Sequence, residues 1–265
     1  MEAKYRDVSL NQLKKWAGLA DARIRRDEGL FIAEGIKVVD ELLKSGRSLE
    51  ALLVMPEKKP YWGKIVTYAE KEIPVYQAGR RQWKKISQDK KPEGLMAVVK
   101  REKEMTLASF LDSVAGSLLI LHEINNPSNL GALARSACWF GFGGIIISRN
   151  SVDWTNPRAI RASMGSIFHL DILSDVDLAD AVAEIRKNRP VIGSDAGRGE
   201  APHPMEKDAT LLLGSESHGL PQHLLALADE RWRIPGGEKI QSLSLPQAAA
   251  IMMYEMMKKG ERTKD

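Results

Sequence analysis

Three groups of polar side chains that could support chemistry each follow an apolar run in the second half of the sequence. Asn129 and Arg135 lie in NNPSNLGALARSACWFGFGG, Glu216 lies in GSESHGL, and Ser244 lies in SLSLPQ. An arginine among apolar helical residues needs an anionic partner, because burying an unpaired guanidinium is costly. For Arg135 that partner is either a carboxylate in a buried salt bridge or a phosphate of the substrate.

Neighbouring polar residues allow both a structural and a functional explanation. Arg158 and Arg161 are three residues apart, so they share a helix face on which they are either solvated or bound to backbone phosphates. Glu216 lies in a loop, where a glutamate is more often a surface charge or a helix cap than a catalytic group. Ser244 and Gln247 fit the S-x-x-Q capping box, which makes Ser244 the predicted N-cap of an apolar helix.

The elements that must position these groups form a regular alternation. Apolar strands are predicted at 118–122, 144–148, 191–194, 211–214 and 231–235, and helices at 129–140, 157–166, 177–188, 220–229 and 245–258. Short apolar strands separated by helices predict an α/β fold with a parallel sheet covered on both faces. Ligands of such sheets bind beyond the carboxyl ends of the strands, so the polar groups are expected to meet there.

The first part of the chain predicts a separate, smaller α/β domain. Helices are expected at 9–29 and 36–46, and strands at 30–35, 49–55, 75–79 and 94–100. The predicted organisation is therefore a small α/β substrate-binding domain at 1–105, a linker at 106–116, and the parallel-sheet domain at 117–265.

Charge and composition narrow the classes of partner. The net charge is +4, but residues 1–105 hold 23 Lys and Arg against 16 Asp and Glu, so this half either meets a polyanion or has a merely solvated basic surface. RNA, DNA and acidic lipid are all such polyanions. No apolar run is long enough for a membrane span, and the polar start predicts no signal peptide. The single cysteine, Cys138, excludes an internal disulfide and multi-thiolate metal sites, and a reducing cytoplasm is expected.

A glycine-rich stretch at 141–144, GFGG, raises the question of a dinucleotide site. A dinucleotide fingerprint runs from strand to glycine loop to helix, whereas these glycines end a helix and lead into a strand. They are interpreted as a helix C-terminus and a tight turn. The five histidines show no metal-ligand spacing, so no metal is expected.

The ordered set of motifs resembles the SpoU (TrmH-type) family of RNA ribose 2′-O-methyltransferases of the SPOUT superfamily. The matching stretches are NNPSNLGALARSACWFGFGG, LLLGSESHGL and IPGGEKIQSLSLPQAAAIMMYE, with support from NPRAIRASMGSIFHL. The stretches RRDEGLFIAEGIKVVDELLKSG and QDKKPEGLMAVV are similar to the substrate-binding domain of that family. The resemblance implies a SPOUT fold with a C-terminal trefoil knot, a homodimer, and S-adenosylmethionine as the cofactor.

The resemblance also implies roles for individual residues. Asn129, Arg135, Glu216 and Ser244 take the catalytic positions. The cofactor-binding positions are Gly193, Ser194, Gly214, Ser215, Ile234, Pro235, Ser242, Leu243 and Ser244. One position departs from the family pattern, because the third motif usually reads S-L-N-V and here reads SLSL. Ser244 therefore stands where an asparagine is expected, and a hydroxyl has less reach than an amide.

The leading hypothesis is an S-adenosylmethionine-dependent enzyme that methylates a ribose 2′-hydroxyl of ribosomal or transfer RNA. The RNA contacts predicted from charge are Arg23, Arg25, Arg26, Lys37, Arg80, Arg81, Arg158 and Arg161. The alternative is an RNA-binding dimer that kept the fold and lost the chemistry at Ser244. A nucleotide-dependent α/β enzyme of another kind is a third hypothesis, which the lack of a phosphate-binding glycine loop disfavours.

Overall fold

The chain forms two compact units, and one of them is discontinuous in sequence. A computed structural model describes residues 5–103, 105–237, 239 and 243–258. The first unit comprises Met1–Lys103 and Asp153–His169, and the second comprises Glu104–Val152 and Leu170–Asp265. The segment 153–169 thus joins the first unit although it interrupts the predicted second domain. Part of the expected linker is helical, since α6 spans Leu107–Ser113. Phe110 of this helix lies in the core of the second unit.

The first unit is built on a mixed five-stranded sheet. Its strands lie in the order β1 (Arg6–Asp7), β4 (Val75–Gln77), β3 (Leu49–Val54), β5 (Leu95–Lys100) and β2 (Leu30–Glu34), with β5 antiparallel to both of its neighbours. The helices are α1 (Leu10–Gly18), α2 (Ala22–Glu28), α3 (Ile36–Lys44), α4 (Lys59–Ala69) and α5 (Arg80–Ile86). The four predicted strands are all present.

Helices are where the first unit differs most from the sequence-based expectation. The helix expected at 9–29 is two helices, because the Asp21 side chain accepts hydrogen bonds from the Arg23 and Ile24 N–H groups and starts α2. The helices α4 and α5 were not predicted. Trp62 of α4 and Trp83 of α5 are both buried, and each helix covers the sheet with its apolar side.

A buried ion pair fastens the start of segment 153–169 to the first unit. The Arg25 guanidinium is 1% exposed, lies 2.8 Å from the Asp153 carboxylate and donates to the Thr155 hydroxyl at 3.0 Å. Its remaining N–H groups donate to the carbonyls of Leu19 and Ala20. The expectation that Arg25 contacts RNA is therefore wrong, because every donor of its side chain points to buried protein oxygens.

The same network fixes the charge of Asp153. Burial by itself would raise the pKa of this carboxyl, but the hydrogen bonds from Thr155 and the Arg25 charge outweigh burial and hold the pKa below its ordinary value. The stabilisation from Asp153 is therefore present above the ordinary pKa of an aspartate and is lost as the pH falls through the lowered value.

The end of segment 153–169 packs on α3. Gly165 has a φ of +86°, and a Cβ there would lie 2.7 Å from the Cβ of Glu41, so only glycine fits. The Glu41 carboxylate lies 2.9 Å from His169 Nε2 and also pairs with Lys37 and Lys44. Hydrogen bonds from Lys37 and His169 lower the pKa of Glu41 to about 2. This segment is thus bound to the first unit at both ends.

The second unit is a six-stranded, all-parallel sheet, which confirms the predicted fold class. The strand order is β11 (Glu230–Trp232), β9 (Val191–Ser194), β10 (Thr210–Leu213), β6 (Leu118–Leu121), β7 (Gly144–Ser148) and β8 (Asp171–Val176). Strand β8 was not predicted. The helices are α6, α7 (Pro127–Trp139), α9 (Leu178–Ile185), α10 (Gln222–Leu225) and α11 (Leu245–Met257), and α8 (Pro157–Ala162) belongs to the first unit.

Helices cover the two faces of this sheet. One face packs against α6, α9 and α10 through a core that includes Leu118, Ile120 and Val182. The helices α7 and α11 pack against each other. Within the described ranges, no helix is long and apolar enough to cross a membrane.

Replacement of Arg25 tests whether this residue stabilises the fold or is only a charge on the surface. We expect Arg25→Ala to lower the free energy of unfolding by about 3 kcal/mol or more, because it leaves the buried Asp153 carboxylate without its counter-charge. Arg26→Ala is the matched control, since Arg26 is exposed, and a change of no more than about 0.5 kcal/mol is expected. Urea unfolding followed by tryptophan fluorescence measures both, and equal stability of the two variants would contradict the assignment.

Candidate active site

Asn129 and Glu216 meet at the carboxyl edge of the parallel sheet. Strands β6 and β10 are neighbours with Leu121 opposite Leu213, so the segments that follow them begin side by side. Asn126 is the N-cap of α7 and accepts a hydrogen bond from the Ser128 N–H at 2.9 Å, which places Asn129 in the first turn. The Asn129 Nδ2 then donates to Glu216 Oε1 at 2.7 Å. The helix begins two residues earlier than the predicted Asn129.

The Glu216 loop is a tight turn that only glycine at 214 permits. A Cβ on Gly214 would lie 2.1 Å from the carbonyl carbon of Gly219, so the two ends of the turn touch through their backbones. The Gly219 N–H donates to the Ser215 carbonyl at 3.0 Å, and Gly219 has a φ of +66°. The turn leaves Glu216, Ser217 and His218 exposed. It therefore presents the Glu216 carboxylate outward at a fixed position.

Arg135 projects from the same helix as Asn129. Its side chain is exposed and forms no ion pair with any residue that the structure describes. A buried salt bridge, the structural alternative considered from the sequence, is therefore absent from this part of the chain. The guanidinium keeps its full set of donors for an anion.

Ser244 stands at the start of α11 but does not cap it through its side chain. Its backbone has N-cap geometry and its carbonyl accepts from the Gln247 N–H, yet its hydroxyl makes no capping hydrogen bond. The predicted capping box is therefore wrong. Ser244 and Leu243 are both exposed, so the Ser244 hydroxyl is open to a ligand. Ser242 lies outside the described residues.

The positions that the resemblance assigns to the cofactor gather at one edge of the sheet. Strands β11, β9 and β10 are adjacent and parallel, so the residues at and just after their carboxyl ends lie along one line. These are Gly193 and Ser194 of β9, Gly214 and Ser215 after β10, and Ile234 and Pro235 after β11. Gly193 also has a packing reason to be glycine, because a Cβ would lie 3.2 Å from Leu225 and from Ala228.

This edge suits a nucleoside-like cofactor. Ile234 is half-buried, while Pro235 and Leu243 are exposed, so apolar side chains are available to cover a flat ring. The backbone beside them is unobstructed, since a Cβ on Gly236 or Gly237 would meet nothing within 4 Å. The residues present therefore fit S-adenosylmethionine, whose adenosine would lie against these apolar groups.

The residues predicted to bind RNA all belong to the first unit. Three of them, Arg26, Arg81 and Arg158, are exposed and form no ion pair with a residue that the structure describes. Four others are paired with carboxylates: Arg23 with Asp27, Lys37 with Glu41, Arg80 with Glu57 and Arg161 with Asp89. Arg158 and Arg161, which the sequence places on one helix face, are both part of the first unit.

Two residues directly after β6 escaped the sequence analysis. Glu123 has a φ of 50°, a left-handed conformation that is uncommon outside glycine, and its N–H donates to the Ser148 hydroxyl at 2.8 Å. His122 is partly buried, and burial lowers its pKa, which favours the neutral imidazole. Their position at the carboxyl end of a central strand was the signal that could have identified them.

The described residues contain no group of three or more His, Cys, Asp and Glu side chains that could hold a metal ion. The expectation that no metal takes part stays a prediction.

The fold and the polar edge together define an α/β enzyme with a ligand site at the carboxyl ends of parallel strands. The chain belongs to the SpoU rRNA methylase family, whose model matches residues 116–254, and residues 11–97 match the model of an MRM3-like substrate binding domain. These matches confirm the family and the enzyme class predicted from the sequence, an RNA methyltransferase.

Individual relatives align over nearly the whole chain. The 23S rRNA (guanosine(2553)-2′-O)-methyltransferase of Bacillus subtilis is 25% identical over 248 residues, which cover 92% of this chain and 95% of the relative. A solved TrmH-family structure from Porphyromonas gingivalis is 27% identical, with a TM-score of 0.78 and coverage of 94% and 97%. The SpoU methyltransferase AviRb from Streptomyces viridochromogenes, solved with the cofactor AdoMet, has a TM-score of 0.80 at 21% identity over 94% of this chain and 97% of its own.

Replacement of Gly214 tests whether the close backbone contact positions Glu216. We expect Gly214→Ala to cost about 1–3 kcal/mol of stability and to reduce methyl transfer, because the turn must open to make room for the alanine side chain. Gly237→Ala is the control, since a Cβ there meets nothing within 4 Å, and its stability should match that of the wild type. Thermal unfolding and a methyl-transfer assay measure both variants. Unchanged stability and transfer in Gly214→Ala would refute the assignment.

Proposed function

We propose that this chain methylates the 2′-hydroxyl of a ribose in ribosomal or transfer RNA. The observation that carries the proposal is the 2.7 Å hydrogen bond between Asn129 and Glu216 at the carboxyl edge of the sheet, on the helix that also bears Arg135. The name of the Bacillus subtilis relative specifies a 2′-O-methyltransferase of 23S rRNA, which supports this choice of atom and of substrate class.

The methyl donor is S-adenosylmethionine. When bound, it supplies a methyl group on a positively charged sulfur, which needs only a well-placed nucleophile. The AdoMet-bound structure of a SpoU relative supports this assignment, as does the apolar, glycine-lined edge formed by the residues after β10 and β11. Ile234, Pro235 and Leu243 would cover the adenosine, while the backbone at Gly214 and Ser215 would meet its polar groups.

Asn129 and Glu216 act as one positioning unit. The hydrogen bond orients the Asn129 amide and leaves its carbonyl oxygen to accept a hydrogen bond from the ribose. Because Glu216 sits in a tight turn, this orientation is fixed before the substrate arrives. Such alignment of the reacting atoms is the main source of acceleration that we assign to the site.

Arg135 supplies positive charge to the acceptor. Its exposed guanidinium can hold an RNA phosphate and stabilise the negative charge that develops on the ribose oxygen. A guanidinium has a pKa above about 12, so it does not take the proton by itself at neutral pH. We therefore assign Arg135 to orienting that phosphate and stabilising the developing alkoxide, while the proton passes to solvent as the methyl group is transferred.

Ser244 completes the site in place of the family asparagine. Because its hydroxyl caps no backbone N–H of α11, it is open to a bound molecule. One hydroxyl can donate and accept a hydrogen bond, which covers part of what an amide provides. We therefore assign this chain as an active variant of the family rather than as an inactive RNA-binding dimer.

The first unit supplies the RNA-binding charge. Arg26, Arg81 and Arg158 are the exposed arginines that we assign to phosphates, together with the outward parts of Arg23, Lys37, Arg80 and Arg161. Binding should weaken as salt rises, because each neutralised phosphate releases a counterion. The cytoplasmic location and the trefoil knot stay predictions.

A homodimer is supported by an apolar surface on α7 and α11. Trp139 is 83% exposed, Tyr254 is 51% exposed, and Ile251 and Met257 are each 40% exposed. An apolar surface of this kind on two packed helices is typical of a protein interface. We assign a second copy of the chain as its partner.

Arg135→Ala is the test of the enzyme hypothesis. We expect it to abolish measurable methyl transfer while S-adenosylmethionine binds with unchanged affinity, because Arg135 acts on the RNA and not on the donor. Calorimetry measures donor binding, and mass mapping of RNA incubated with labelled donor measures transfer. Lys187→Ala, at an exposed residue just after α9, is the control that should retain both. No donor binding by the wild type would favour the non-enzymatic alternative, and full transfer by Arg135→Ala would refute the role of Arg135.

A charged residue in the apolar surface of α7 and α11 should separate the dimer. We expect Trp139→Glu to behave as a monomer in light scattering, because dimerisation would bury the new charge without a partner. Leu10→Glu is the control, since Leu10 is 76% exposed but belongs to the first unit, and it should remain dimeric. A dimeric Trp139→Glu variant, or a monomeric wild type, would overturn the assignment.

A further inference from the structure

The outer face of α4 carries two exposed tyrosines and one exposed lysine in one stripe, and a second exposed lysine follows the helix. Tyr61, Lys64 and Tyr68 are spaced three and four residues apart, which places them within roughly 60° of the helix circumference, and Lys71 lies two residues beyond the end of α4 at Ala69. Tyr61 is 69% exposed and Tyr68 is 84% exposed. Trp62, Val66 and Ala69 occupy the other side of the helix and are buried. The stripe is therefore a surface that the fold itself does not use.

The helix that carries this stripe is firmly held. Trp62 donates its Nε1–H to the Met55 carbonyl at 3.0 Å and packs edge-on against Tyr5 at 5.9 Å. The outer tyrosine rings thus project from a rigid support. The two rings are about 10 Å apart along the helix axis, since seven residues separate them. That spacing leaves room for nucleobases on each ring.

The charge around the stripe is positive. Residues 57–72 contain four lysines and three glutamates, of which Glu57 is paired with Arg80. Glu70 interacts with the Tyr5 hydroxyl, whose pKa is raised by burial and by this carboxylate, so its charge is directed inward. Neither Lys64 nor Lys71 forms an ion pair with a residue that the structure describes. A shallow, open depression lined by Lys59, Pro60, Gly63, Lys64 and Thr67 runs along the same helix.

We propose that the outer face of α4 binds unpaired nucleotides of the RNA substrate, with bases stacked on Tyr61 and Tyr68 and phosphates paired with Lys64 and Lys71. The proposal rests on the proposed function, which supplies RNA as the partner. Exposed aromatic rings interleaved with cationic side chains are the combination that binds single-stranded nucleic acid, because every base has a face that can stack. Duplex RNA offers no free base faces, so the surface is selective for unpaired segments.

Binding of a 20-nucleotide oligouridylate by the full-length protein tests the proposal. We expect Tyr61→Ala/Tyr68→Ala to weaken binding by at least about tenfold, because a lost stacking contact costs about 1–3 kcal/mol per base. The matched control, Tyr61→Phe/Tyr68→Phe, keeps both rings and should bind within twofold of the wild type. A duplex of the same length should bind both variants and the wild type equally. Fluorescence anisotropy measures all of these affinities.

The lysines are tested by the salt dependence of the same binding. Lys64→Ala/Lys71→Ala should reduce the slope of log affinity against log salt by about 1.4, since each single-strand phosphate contact contributes about 0.7. Lys187→Ala/Lys207→Ala, a control with two exposed lysines of the second unit, should leave the slope unchanged. Photo-cross-linking of the oligouridylate should attach uridine to the peptides that contain Tyr61 and Tyr68.

Several outcomes would overturn the proposal. One is that Tyr61→Ala/Tyr68→Ala binds oligouridylate within twofold of the wild type. Another is that the alanine pair and the phenylalanine pair lose equal affinity for oligouridylate. A changed oligomeric state of Tyr61→Ala/Tyr68→Ala with unchanged RNA affinity would assign the face to a second copy of the chain instead.

Methyl transfer to ribosomal and transfer RNA from cells that lack this gene separates the two proposals. A raised KM with unchanged kcat in Tyr61→Ala/Tyr68→Ala supports the role of the α4 surface. An unchanged KM contradicts that role and leaves the proposed function intact. No transfer by the wild type would overturn the proposed function, while the oligouridylate measurement would still decide the role of α4.

Discussion

The register between β6 and β10 is the constraint on which the polar site depends. Leu121 lies opposite Leu213, so the turn into α7 and the turn that bears Glu216 leave the sheet at the same level. A slip of one residue would shift one turn by about 3.3 Å along the strand and would reverse the faces of its side chains. The short hydrogen bond between Asn129 and Glu216 could not survive that shift. The apolar residues of two central strands thus set the geometry of polar groups that follow them.

The sequence predicted the second unit well, because its strands are nearly continuous apolar runs. Strands buried on both faces leave a strong signal, and the rule that ligands bind at their carboxyl ends then predicts that Asn129 and Glu216 lie at one edge. The prediction was weaker for short and half-exposed elements. Strand β8 includes Asp171, Ser174 and Asp175 and lies at an edge of the sheet, so its pattern was not apolar enough to be recognised.

Three features could not be predicted, and the physical reason differs for each. Arg25 has the same local sequence context as the exposed Arg26, and only Asp153, 128 positions later, makes it a buried residue. The Ser244 capping box satisfied every local rule, yet the serine hydroxyl does not point to the helix N–H groups. The helix α4 begins at Lys59 with proline next and carries alternating tyrosine and lysine on its exposed side, so its apolar stripe is narrow.

The discontinuity of the first unit limits how this protein can change by recombination. The backbone passes from one unit to the other at three points, after residues 103, 152 and 169. A gene segment that encodes only the N-terminal residues would carry Arg25 without Asp153, and the arginine would be buried without its counter-ion. Exchange of substrate-binding units between relatives therefore requires that the segment 153–169 be exchanged as well. A single cut in the chain therefore does not separate the two units, although each has its own sheet and its own core.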